Sequence, residues 1–123
     1  MPYRIPTGLS TPILDEQATL LRLRGNTQFL TELYGVFLDD LPPKLTALSS
    51  ALSQNDETAL RRIAHSIKGA AATISALSLK QQAERLEHAA RQGRSAEVRD
   101  VAQRIIFHGQ TTLEHVAASM ELR

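Results

Sequence analysis

The sequence predicts an all-α protein: an antiparallel, up-and-down four-helix bundle with a short additional helix at its N-terminal side. Three observations predict it. Apolar residues recur at three- and four-residue spacing over long stretches, and nowhere do they alternate as along a half-buried strand. Aromatic residues make up only 4% of the 123 and Trp is absent, so the core has to be built from Leu, Ile, Val and Ala, which suits helices. The segments between the periodic stretches are short, and short connections between long helices make antiparallel neighbours.

Apolar content of 42% and charged content of 22% fit one ordered globular domain, expected over residues 13–123. Residues 1–12 hold three of the five prolines and little pattern, and read as a linker or an artificial chain end. A net charge of +1 with scattered Lys and Arg gives no nucleic-acid footprint. Cys is absent, which removes disulfides and thiolate metal sites and suits a cytoplasmic location. No apolar run approaches the roughly 18 residues of a membrane span, and the start lacks a signal-peptide core, so no direct membrane contact is expected.

In chain order, the first helix begins near Leu14 or Asp15, with Asp15 as N-cap and Leu14, Ala18 and Leu21 as its apolar side. Gly25 and Asn26 stop it, since both tolerate left-handed backbone. The second starts near Thr27 and keeps one phase through Phe29, Leu30, Leu33, Tyr34, Phe37, Leu38, Leu41, Leu45, Leu48 and Leu52. Pro42 and Pro43 interrupt it, each removing a donor and clashing with the carbonyl four residues back. The stripe holds its phase across them, which predicts a kink or short break without a change of direction. Asn55 and Asp56 end this helix, and Asp56 caps the third, which runs to Thr73 or Ser75. The fourth opens with the capping-box spacing of Ser78 and Gln81, buries Leu79, Ala83, Leu86 and Ala90, and closes at Gly93. The fifth starts near Ser95 and buries Val98, Val101 or Ala102, Ile105, Leu113, Val116 and Met120, with Gly109 a local weak point.

The third helix carries the chemistry. Leu60, Ile63, Ala64, Ile67, Ala71 and Ile74 fall on its core stripe, and His65 points away, toward solvent. A surface face normally carries long polar side chains. Around His65 it instead carries Gly69, Ala72 and Ala76, with Arg61 and Lys68 at the edge. A mid-helix Gly costs roughly 1 kcal/mol relative to Ala, and core packing does not explain one on this face. The pattern reads as a docking surface: a reactive imidazole that another protein's backbone can approach. Free imidazole titrates at about 6.5, so a solvated one is largely neutral at pH 7 and nucleophilic. Lys68, one turn on, would offset charge on an anion held at the ring.

The run Ala64-His65-Ser66-Ile67-Lys68-Gly69-Ala70-Ala71 resembles the signature of histidine-containing phosphotransfer (HPt) domains of bacterial phosphorelays: His, two residues, Lys-Gly, then small residues. The likeness extends to residues 37–42, Asn55-Asp56, Leu86-Glu87 and 89–93, over roughly 13–118. It implies a four-helix bundle that carries a phosphoryl group on His65, taken from the aspartate of a receiver domain and passed to a response regulator. It also implies that Glu87 faces His65, where a carboxylate could bond the ring's other nitrogen and fix its tautomer. One departure stands out: ten residues after His65 the family usually has Gly, and here Ser75 stands. The resemblance implies that Mg²⁺ is brought by the receiver; no cofactor is expected on this chain, and the isolated domain is expected to be monomeric. That module is either free or the C-terminal part of a membrane-bound hybrid sensor kinase.

The alternative from another class is a helical interaction module that binds a receiver or another helix with a silent His65. A metal-binding bundle is disfavoured, because Glu-x-x-His pairs are missing: Arg85 precedes His88 by three residues and Thr112 precedes His115. His108 and His115 lie seven residues apart, about 10.5 Å along a helix, too far to share one ion unaided. No Gly-rich phosphate loop or nucleophile elbow occurs, so kinase activity of the domain itself is not expected.

Overall fold

The computed structural model describes residues 11–122, and the expected linker lies outside these residues except for its last two. Five helices follow in order: α1 (Glu16–Arg22), α2 (Thr27–Ser53), α3 (Glu57–Thr73), α4 (Leu77–Arg91) and α5 (Ser95–Glu121). Each of α2 to α5 packs on the next and α5 returns to α2, which closes the four-helix bundle. The expected architecture is the observed one.

Helix ends follow from local chemistry. Asp15, Asn26 and Asp56 are N-caps whose side chains accept the N–H of Ala18, Phe29 and Ala59. The C-terminal ends of α1 to α4 each place a residue in left-handed backbone, at Arg24, Asn55, Ser75 and Gly93. In each case the N–H of the next residue closes on a carbonyl five residues back, as in Ala76 to Ala71 at 2.9 Å. Asn26, read as a left-handed stop, serves as the α2 cap, and Arg24 joins Gly25 in the left-handed region instead.

Of the kink or short break expected at Pro42 and Pro43, no break occurs: α2 is continuous over 27 residues. Both prolines lie on the exposed side. Interior prolines cost about 3 kcal/mol each. Burial of Phe37, Leu41, Leu45 and Leu48, one to two turns either side, contributes about 1.5–3 kcal/mol per side chain and holds the helix through them. The capping box at Ser78 is also absent: α4 begins at Leu77 with Ala76 in the cap position and no side-chain cap bond. The Ser78 N–H goes instead to the carbonyl of Pro12, at 3.0 Å.

The short α1 lies across the end of the bundle where α3 turns into α4. Thr19, not Leu21, is its buried residue, while Leu21 is 80% exposed. The cause is polar. Buried Ser75 takes a left-handed φ of 59° and is bonded on three sides. Thr19 Oγ1 donates to its Oγ at 2.9 Å, Arg22 donates to the same oxygen at 3.0 Å, and its carbonyl accepts Asp15 N–H at 2.9 Å. These bonds offset the strain of a non-glycine residue there. They also fasten α1 to the end of α3.

Gly109 is not a weak point. It is buried on α5, and a Cβ added there would lie 2.6 and 2.8 Å from the Leu45 methyl carbons. The glycine allows α5 to approach α2. We expect Gly109→Ala to lower stability by about 1–3 kcal/mol through overpacking, despite its better helix propensity. Urea melts are the check, with Gly35→Ala, open on the same criterion, as the control. Equal midpoints for Gly109→Ala and wild type would mean that Leu45 yields without cost.

Candidate functional site

All six residues of the predicted α3 stripe are buried, and His65 stands opposite them with its side chain 69% exposed. Its ring is held from α4. His65 Nδ1 lies 2.9 Å from one oxygen of Glu87, and Lys68 Nζ lies 2.8 Å from the other. The Glu87 side chain is only 12% exposed. Burial by itself would raise its carboxyl. The hydrogen bonds from Lys68 and His65, with their charges, outweigh that and hold it below the ordinary carboxylate value. This linkage stabilises the fold fully above the ordinary value and is lost as pH falls through the depressed one.

An ionised carboxylate only accepts hydrogen bonds. His65 Nδ1 is therefore the donor, and in the neutral ring the Nε2 lone pair is the free one, directed away from Glu87. The arrangement fixes the tautomer and aims a nucleophilic nitrogen at solvent. It also shows Lys68 engaged by Glu87, within one helical turn of the ring.

Gly69 lies one turn beyond His65 and is exposed; a Cβ there would meet nothing within 4 Å. Ala72 is half-buried, and its carbonyl accepts Arg22 at 3.2 Å, so α1 bounds the small-residue face at this point. Ala76 does not belong to the face. It is wholly buried, because α3 ends at Thr73 and the left-handed Ser75 turns the chain inward. Arg61 is exposed and borders a depression beside His65, together with Thr58, Arg62, Glu87 and Arg91. Helical phase gives no site role to Arg62, and Arg91 enters the sequence reading only as part of the 89–93 resemblance. Arg62 precedes His65 by three residues, a spacing that marks neighbours on one helix surface. Arg91 comes one turn after Glu87 and is brought in by the α3–α4 pairing. Among the described residues no group of three or more His, Asp or Glu could hold a metal ion.

The model of one protein family, the Hpt domain, matches residues 32–121, from early α2 to the end of α5. The chain belongs to the Hpt domain family. Its function is therefore histidine phosphotransfer within a phosphorelay, and Hpt domains interact with receiver domains. The fold agrees with a solved structure, that of histidine-containing phosphotransfer protein B from Pseudomonas aeruginosa PAO1. The likeness to that Hpt protein has a TM-score of 0.81 at 24% identity, and covers 93% of this chain and 99% of the other. No curated protein matches the sequence of this Hpt domain. None of its described helices is long and apolar enough to cross a membrane.

Proposed function

We propose that His65 is the phosphoacceptor of this Hpt domain, receiving the group from a receiver aspartate and delivering it to a response regulator. The observation that carries this reading is the Glu87 carboxylate on Nδ1, which leaves Nε2 as the nucleophile on an open face. In the transfer, the Nε2 lone pair forms the N–P bond while the acyl phosphate P–O bond breaks, its electron pair returning to the aspartate carboxylate. The ring becomes cationic, and Glu87 stabilises that charge through Nδ1–H. Such transfer rests on positioning and electrostatics more than on covalent chemistry of the protein. Mg²⁺ comes with the receiver in this reading. Lys68 offsets the charge of the arriving phosphoryl group, and Gly69 and Ala72 leave room for the receiver backbone.

Incubation with candidate phosphorylated receivers, followed by measurement of acid-labile phosphate on this chain, tests the reading. Transfer from at least one receiver is the expected result, and none from any donor contradicts it. Glu87 supplies a finer test. Glu87→Ala frees the ring, so phosphorylation by phosphoramidate slows even though Lys68 is released as well. Glu87→Gln keeps an acceptor for Nδ1–H and recovers much of the rate. If Gln is no better than Ala, the carboxylate charge, rather than ring orientation, is what Glu87 provides.

A further inference from the structure

We infer that Arg61, Arg62 and Arg91 form an anion-receiving surface beside His65 that engages the carboxylates of an incoming receiver domain. The inference rests on the phosphocarrier reading and adds what attracts the partner. Its basis is how cations are satisfied across the molecule. Lys44, Lys68, Lys80, Arg85, Arg94 and Arg104 each have a carboxylate partner. Arg22 bonds backbone carbonyls of the α3 end, and Arg99 bonds Asn55 at 2.6 Å. Among the described residues, the cations left without a hydrogen bond or ion pair are Arg24, at the α1–α2 turn, and these three. Arg61, Arg62 and Arg91 are all exposed and border one depression, the one that His65 and Glu87 also line.

The register explains the convergence. His65 pairs with Glu87 across α3 and α4. One turn back on α3 lies Arg61, and one turn on along α4 lies Arg91, so the two flank the same end of the pair. Carboxylates nearby do not neutralise the group: Glu87 is taken by His65 and Lys68, and Glu57, which shares a neighbouring hollow with Arg61, forms no ion pair with it. Three unpaired guanidiniums in one place raise a local positive potential that steers an anionic partner toward His65.

Extent decides what the ligand is. The depression runs from Thr58 to His65, about 10.5 Å of helix, much larger than one phosphoryl group. A domain that carries phosphate on an aspartate and holds Mg²⁺ beside it presents a cluster of carboxylates. Such a cluster is complementary to the arginines in charge, and complementary charge acts mainly on the rate of encounter.

The test uses Arg62→Gln/Arg91→Gln in the full chain and a receiver to which the wild type transfers phosphate. Stopped-flow association with that receiver, unphosphorylated, is measured from 50 to 500 mM salt. The expected result is association slower by on the order of 10-fold at low salt, with the difference vanishing at high salt. Equal association at low salt would overturn the inference. So would a phosphohistidine that hydrolyses faster in the variant, without receiver, while association is unchanged: the arginines would then serve the bound phosphoryl group. If wild type takes no phosphoryl group from phosphoramidate or any receiver, the phosphocarrier reading fails first and the inference falls with it.

Discussion

We expect His65→Gln to abolish phosphoacceptance from receivers and from small donors alike, while its stability stays within about 0.5 kcal/mol of wild type. The two halves of that result have separate causes. A glutamine amide has no nucleophilic lone pair at the position of Nε2, so the N–P bond cannot form. Stability is kept because the side chain is largely exposed and contributes nothing to the core. The Gln amide can also donate to Glu87, and Lys68 continues to balance that carboxylate. Radiolabelled donor and a denaturant melt on the same preparation read both halves. Label on the Gln variant would move the acceptor elsewhere, and unfolding would make His65 a structural residue.

Gly69 should separate stability from function. The site is regular helix, exposed and open around an added Cβ, so Gly69→Ala should stabilise by up to about 1 kcal/mol. In the proposed reading the same position lies beside the face over which a receiver approaches His65. In-line attack needs the reacting atoms within about 3–3.5 Å, and a misplacement near 1 Å can cost on the order of 100-fold. Transfer from a phosphorylated receiver should therefore fall through the series Ala, Val, Gln, reaching roughly that loss at Gln. Phosphorylation by phosphoramidate, which needs less room, should fall much less. Equal protein-to-protein transfer across the series would show that the partner does not approach over Gly69.

How much of this was legible in the sequence depends on how local its cause is. The α3 stripe and the outward His65 follow from helical phase alone, and all of it is as read. Phase fails once the helix ends, and Ala76 shows it: extrapolating 100° per residue past Thr73 puts it on the docking face and ignores the left-handed turn at Ser75. The burial of Thr19 in place of Leu21 has the same origin, since it depends on hydrogen bonds to Ser75, 56 residues away. Gly109 illustrates a different limit. Helix propensity marks it as a weakness, and only the α2–α5 crossing reveals that Leu45 fills the space a side chain would need. Glu87 and Arg91 are intermediate. The family resemblance implied the facing position of Glu87, but the shared bond with Lys68 and the arginine one turn on require the α3–α4 register.

The most direct measurement is to locate the phosphoryl group. After phosphorylation of the full chain by a receiver, correlated ¹⁵N, ³¹P and ¹H NMR of the imidazoles identifies both the residue and the ring nitrogen that carries phosphorus. The Glu87 bond to Nδ1 predicts a single phosphorylated species, on Nε2 of His65. Phosphorus on Nδ1, on His88, His108 or His115, or on no histidine would contradict the account.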